Sequence, residues 1–112
     1  MPDAITFEDF IKLDIRVGEV LAAERVPETD KLIKCRISFG DLGERTIVSG
    51  VALYKTPEEM IGKKLLYIVN LAPRVIKGIE SQGMLLALSH GENNFSFIVP
   101  EGPDVPAGTR AK

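Results

Sequence analysis

Residues 15–23, IRVGEVLAA, constrain the fold more than any other stretch. Ile15 and Val17 share one parity of an extended strand, Val20 and Ala22 share the other, and the phase changes at Gly18-Glu19. Successive side chains of a strand point to opposite faces, so a one-residue slip turns the apolar set over. A slip beside a glycine predicts a β-bulge there, which bends and twists the strand. A long strand bent in this way can serve two sheets and close a small barrel. At 112 residues the chain is expected to form one domain, spanning 1–112, around a single core.

The remaining elements are short. Thr6 followed by Asp9 predicts a capped helix with Phe7, Phe10 and Ile11 on one face, ending near Leu13. Ile33, Cys35, Ile37 and Phe39 alternate with Lys34, Arg36 and Ser38, the pattern of a half-buried second strand. Gly40-Asp41-Leu42-Gly43 predicts a hairpin turn into a third strand over 45–49. Thr56-Pro57-Glu58-Glu59 combines a cap, a proline at the first helical position and a glutamate at the third, and Gly62 stops that helix. A fourth strand is expected over 64–70 and a fifth, wholly apolar and buried, over 84–88. Residues 95–99 predict a further strand after a Gly91-Glu92-Asn93-Asn94 turn, and the tail from 100 to 112 carries three prolines and little periodicity. Three strands, a short helix and two more strands give an all-β class with minor α, in the order of an OB-fold: a five-stranded Greek-key barrel with a helix between strands three and four. Short strands also suit a sandwich or an SH3-like barrel, but the helix position favours the OB order.

Catalysis finds no support. His90 is the single histidine, at a strand end beside Gly91, and reads as a solvated turn residue. Cys35 lies on the apolar parity of its strand and reads as a buried, inert thiol. No second cysteine or histidine stands at metal-ligand spacing, and no phosphate-binding glycine loop of the P-loop or dinucleotide kind is present. The expectation is a protein that is not an enzyme and uses no cofactor. The opening MPDAITFEDF has neither the cationic nor the apolar part of a signal peptide, and no run approaches the ~20 apolar residues that cross a bilayer. With one cysteine, nothing demands an oxidising compartment, so a cytoplasmic location is expected.

Net charge is −2, yet the charges are unevenly distributed. Residues 1–30 hold eight acids and three bases, 31–77 nine bases and four acids, and 78–112 four acids and two bases. The ordinary reading of such a bias is an uneven solvated surface. In an OB barrel, however, a ligand lies across strands two and three, between the loop joining strands one and two and the loop joining strands four and five. Those loops are 24–31 and 71–83 here. Lys31 ends the first border, Lys34, Arg36 and Arg45 belong to the strands between, and Arg74 and Lys77 rise from the second. The basic third therefore maps onto the expected binding face. In the second border, Gly78 and Gly83 allow tight turning and close approach. Ser81 and Gln82 offer donors and acceptors for phosphate, ribose hydroxyl or base edges, and Met84 adds a flexible apolar contact. Their ordinary roles are to satisfy loop backbone groups (Ser81, Gln82) and to fill core (Met84). With no tryptophan, and with Phe39, Phe95 and Phe97 alternating as core residues, base stacking is poorly served. A folded RNA recognised by shape and 2′-hydroxyls fits better.

The segments DIRVG, TIVSG, NLAPR and GIESQGM together resemble the tRNA-binding domain family, over nearly the whole chain from about Phe7. That domain forms stand-alone dimeric tRNA-binding proteins and is the C-terminal appendix of many bacterial methionyl-tRNA synthetases. The resemblance implies an OB-fold that binds tRNA by overall shape, assists aminoacylation and forms a homodimer. It places the barrel at about 14–90, with the N-terminal helix 6–13 and segment 91–112 as dimerisation extensions. Family tRNA contacts carry over to Lys31, Ser81 and Met84; Asn70 and Arg74 in NLAPR match the motif as well. Where the family often has a second cation after the arginine, this chain has Val75 and Ile76 before Lys77, which weakens the basic border. A chaperone-like branch that shares the DIRVG strand is the alternative, with polypeptide as ligand. The Met1-Pro2 start leans towards a free-standing protein over a detached synthetase domain.

Overall fold

The bend in the first strand exists, but it lies further along than the glycine suggests. The computed structural model describes residues 3–112, so Met1 and Pro2, and the expectation placed on them, lie outside it. Strand β1, Ile15–Arg25, is eleven residues long. Its first half pairs with β4, Lys64–Ile68, and its second half with β2, Ile33–Ser38. The register against β2 slips between Val20 and Ala22, which leaves Leu21 as the extra residue. Gly18 and Val20 point into the barrel, and after the bulge Ala23 faces inward opposite Cys35. The parity reading placed the slip at Gly18-Glu19 because Val17 is apolar and buried on the other face. There the C-terminal tail covers it: Val17 N–H donates to the Thr109 carbonyl at 2.9 Å, and Gly108 N–H donates to the Val17 carbonyl at 2.7 Å.

Gly18 is required for space. A Cβ there would stand 2.6 Å from Ile37 Cγ2 and 2.7 Å from Phe39 Cε1. The core built around it consists of Val20, Ile33, Cys35, Ile37, Phe39, Ile47, Met60, Leu65 and Tyr67, all but closed to solvent. The Phe39 ring meets Tyr67 edge-on at 5.6 Å. Strand β3, Glu44–Ser49, follows a short 3-10 turn over Gly40–Leu42 and pairs antiparallel with β2. The five-stranded sheet runs β3-β2-β1-β4-β7, with β7 being Met84–Leu85. It curls into a nearly closed OB-like barrel.

Helix α1, Phe7–Phe10, and helix α2, Pro57–Met60, both carry the expected reciprocal caps, Thr6 with Asp9 and Thr56 with Glu59. The hydrogen bond from the Thr56 backbone N–H holds the Glu59 carboxyl below its usual range. That contribution is present at neutral pH and is lost as pH falls through the lowered value. Helix α2 buries Pro57 and Met60 under the barrel, whereas α1 buries nothing and leaves Phe7 71% exposed.

Two expectations need correction. The loop 71–83 contains a β-hairpin, β5 over Arg74–Ile76 and β6 over Ile79–Ser81, joined by Lys77-Gly78. Both linking residues have positive φ, 51° and 80°, as a type I′ turn demands. The predicted buried strand 84–88 is two short pieces, β7 and β8, Ala87–Ser89, in which Met84 and Leu88 are largely exposed. β8 pairs with β9, Phe95–Phe97, whose two phenylalanines lie half-buried at the edge of the core. The tail has little regular structure, as its sequence predicts, and it is bonded to the barrel. Lys64 Nζ donates to the Val105 carbonyl, Arg16 Nη1 to that of Gly108, and Ala111 N–H to that of Ile15, so the tail straps its own barrel.

Replacing Gly18 by alanine overpacks the Ile37–Phe39 contact. We expect destabilisation of about 1–3 kcal/mol, read as a lower urea midpoint at unchanged slope.

Candidate nucleic-acid interface

The barrel has an open edge along β3, and how that edge is satisfied decides which motif residues remain free. Thr46 and Val48 present N–H groups that no neighbouring strand reaches by a regular ladder. Val48 N–H donates to Ser81 Oγ at 2.9 Å, Thr46 N–H donates to Gln82 Oε1 at 3.1 Å, and Gln82 N–H donates to the Thr46 carbonyl at 2.8 Å. Arg45 adds a clasp: its Nη1 donates to the Val69 carbonyl and, at 3.4 Å, to that of Gln82. Gly83 follows at φ 153°, and a Cβ on it would lie 2.9 Å from both Ile47 Cδ1 and the Ile68 carbonyl. The ESQG segment therefore seals the barrel with side chains where a backbone ladder is missing.

This changes how several predicted site residues are placed. Ser81 is 4% exposed, with its hydroxyl engaged by Val48 N–H. Gln82 and Arg45 are half-buried and committed to the seam. Asn70 accepts from Asp14 N–H at 2.9 Å through Oδ1 and donates to the Lys12 carbonyl at 2.5 Å through Nδ2, so it anchors the N-terminal segment. Ser81 and Gln82 thus satisfy backbone groups, and Arg45 and Asn70, for which no such role was expected, bind backbone groups as well.

The other six, like Asn70, are accessible. Lys31, Arg74 and Lys77 are exposed and take part in no ion pair among the described residues. Met84 is 44% exposed and is not core. Lys34 and Arg36 lie on the outer face of β2, each bound to a carboxylate: Lys34 Nζ to Glu24 at 3.4 Å, and Arg36 Nε to Glu44 at 3.1 Å. The second border, through Arg74 and Ile76, meets Leu32, the residue that follows the first border. A hollow of about 240 Å³ is lined by Leu32, beside Lys31, together with Val48, Gly50, Arg74, Ile76 and Met84. The Lys31 carbonyl is fixed there by Ala52 N–H at 2.9 Å. A smaller hollow joins it, sharing Val48, Arg74, Ile76 and Met84 and adding Leu71 and Ser81. The floor is largely apolar, and Arg74 is the cation that lines it.

Sequence reasoning missed three features. The hairpin was signalled by Lys77-Gly78 between apolar, β-branched neighbours. The ion-pairing acids Glu24 and Glu44 carry no signal without the strand register. Tyr54 stacks on Phe95 with centroids 4.8 Å apart and planes 4° from parallel, and Lys55 Nζ lies 5.4 Å from the Phe97 ring centre. Neither interaction is readable from local sequence.

Nothing in the core suggests covalent chemistry. Burial pushes the Cys35 thiol up to about 11, and burial together with Cys35 pushes the Tyr67 phenol up as well, so neither ionises near neutral pH. Among the described residues no group of three or more His, Cys, Asp and Glu side chains could hold a metal ion, and no helix is long and apolar enough to cross a membrane.

An OB-like barrel with a hollow lined by Arg74 and apolar side chains defines the class. Residues 15–110 match the family model described as "Putative tRNA binding domain", and the chain belongs to that family. It is 51% identical over 108 residues to the methionine–tRNA ligase of Porphyromonas gingivalis, covering 96% of this chain and 16% of the ligase, so it spans about a sixth of that relative. Among solved structures, the MetRS-related protein from Pyrococcus horikoshii superposes with TM-score 0.90 at 41% identity, covering 99% of this chain and all of that one. The chaperone CsaA from Bacillus anthracis superposes with TM-score 0.86 at 29% identity, covering 98% of this chain and all of that one.

Ser81→Ala strands a buried Val48 N–H. It should cost about 1–3 kcal/mol of stability, while Lys31→Ala, at an exposed site, should stay within about 0.5 kcal/mol. Chemical denaturation of the two variants side by side measures the contrast.

Proposed function

We propose that the chain is a non-catalytic tRNA-binding module that recognises folded tRNA by its shape and phosphate backbone. The observation that carries this reading is the family match, which runs through the entire barrel and its strap. The geometry supports it: a hollow lined by Leu32, next to Lys31, and by Arg74, Ile76 and Met84 of the second border lies where an OB barrel takes ligands, and Lys31, Arg74 and Lys77 are exposed. Lys34 and Arg36 extend the contact surface along β2, and Met84 supplies apolar contact at the floor. Ser81, Gln82, Arg45 and Asn70 support the site by holding the hairpin and the barrel in place. In this reading the module works in the cytoplasm as a homodimer. It assists aminoacylation, either free-standing or joined to a catalytic body such as methionyl-tRNA synthetase. The exposed Phe7, Phe10 and Ile11 of the N-terminal segment offer apolar surface for the second copy.

The alternative is a polypeptide-binding chaperone. The likeness to CsaA and the apolar lining of the hollow favour it. Suppression of aggregation that persists in saturating tRNA would support that reading over the first.

The test is a salt titration of tRNA binding at a known oligomeric state, against a single strand of equal length. Affinity should fall linearly with log salt, and tRNA should bind more tightly than the single strand. Equal binding of the two would remove shape recognition. Lys31→Ala should weaken binding and lower the salt slope by roughly one. An unchanged dissociation constant would take Lys31 out of the site.

A further inference from the structure

A second hollow, of about 350 Å³, lies on the outer face of β1, β2 and β3, apart from the loop-bordered one. It exists because Ala22 and Thr46 are short, while Glu24, Lys34 and Arg36 around them are long. Both cations are already occupied. Glu24 stands directly opposite Lys34 in the β1–β2 ladder and holds it at 3.4 Å. Glu44, whose direct partner in β3–β2 is Ser38, reaches diagonally to Arg36 at 3.1 Å. The four side chains are between 42% and 69% exposed, so both pairs are wet and exchangeable.

We propose that Glu24 and Glu44 are built-in competitors for the RNA phosphates that Lys34 and Arg36 would take. This deepens the tRNA-binding reading and rests on it. Each cation must leave a carboxylate before it binds a phosphate, so the gain per contact is reduced by a lost ion pair. Lys34 and Arg36 are two residues apart on one strand face, about 6.6 Å along the chain. Two phosphates arriving together can displace both carboxylates, whereas a single loosely held phosphate gains little. The acids thereby lower affinity for isolated nucleotides and flexible strands more than for a rigid RNA that presents neighbouring phosphates at fixed spacing. The ordinary role of such pairs is to favour strand register. Register support predicts lower stability on removing the acids and no tighter RNA binding.

The experiment uses the full chain, a tRNA transcript and the variants Glu24→Gln, Glu44→Gln and the double variant, with Glu101→Gln on the tail as a control for net charge. At roughly 100 mM salt, where screening reaches about 10 Å, the double variant should bind tRNA tighter by roughly three- to tenfold, as expected for two freed surface cations. Glu101→Gln should change binding less than twofold, in line with a charge outside the contact. In a Lys34→Gln/Arg36→Gln background the gain from removing the two acids should vanish. The discrimination between tRNA and a single strand should shrink in the double variant. Thermal melts confirm that each variant is folded. Gains no larger than that of Glu101→Gln, or gains that persist without Lys34 and Arg36, would overturn the inference. If the unaltered chain binds no tRNA, the tRNA reading falls and takes this one with it. If the unaltered chain binds tRNA and the glutamine variants match it, only the competitor role falls.

Discussion

The seam between β3 and the segment 81–83 is the constraint on which the rest of the structure depends. A five-stranded sheet closes into a barrel only if its first and last strands meet, and here the last strand is too short to pair with β3 along its length. The unpaired N–H groups of Thr46 and Val48 would otherwise be lost in a partly dry edge, at a cost of about 1–3 kcal/mol each. Ser81 Oγ and Gln82 Oε1 accept them, and Arg45 ties the same edge to the end of β4. The seam also fixes the β5–β6 hairpin, because Ser81 is at once the last residue of that hairpin and a partner of β3. Holding the hairpin places Arg74, Ile76 and Met84 beside Leu32 and creates the hollow. Barrel closure and site construction are therefore one event.

Strand β1 is the second shared element. Its first half is flanked by β4 and by the C-terminal strap, and its second half by β2. The strap occupies the edge of β1 that β2 does not reach, and Arg16, Asp14 and Arg110 hold it there: Asp14 lies 2.7 Å from Arg16 Nε and 3.5 Å from Arg110 Nε. The element order, the capped helices, the alternation of β2 and the need for a bend in β1 were all legible in the sequence, because each rests on local periodicity or on a cap. The position of the bend was not. Val17 is apolar for a reason that lies some ninety residues away, and parity cannot distinguish a residue covered by the tail from one facing the core. The strand at 84–88 failed similarly: an apolar run does not reveal that it is broken between two partners, β4 and β9.

The site was legible as a region more than as a set of roles. The loop positions followed from the fold; Lys31, Arg74, Lys77 and Met84 are exposed, and Arg74 and Met84 line the hollow. Arg45, Asn70, Ser81 and Gln82 are polar and lie at the groove's edge, yet each has a side-chain donor or acceptor bound to the chain's own backbone. A serine that would bind phosphate and one that caps an orphan amide look alike in sequence. Only the tertiary accounting of hydrogen bonds separates them, since a buried amide must find a partner. Distinctive motif residues can mark the frame of a binding site as readily as its contacts.

That separation bears on how a chain with net charge −2 could hold a polyanion. Three exposed cations of the two borders, Lys31, Arg74 and Lys77, are free of ion pairs among the described residues, two on β2 are paired, and Arg45 is half-buried in the seam. If each free cation met one phosphate, three contacts would give a salt slope of roughly −2 to −3, shallow for a nucleic-acid interface. Charge alone then gives limited affinity, and the remainder must come from contacts that salt does not screen. The apolar floor of Leu32, Val48, Ile76 and Met84 is surface of that kind. Pairing two such barrels would add a further contribution, because the second groove would bind at an effective concentration set by the rigid span between them and would need no new contact within either. A modest charge count is thus compatible with tight binding only for a ligand large and stiff enough to reach both grooves, which is a property of folded RNA and not of a short flexible strand.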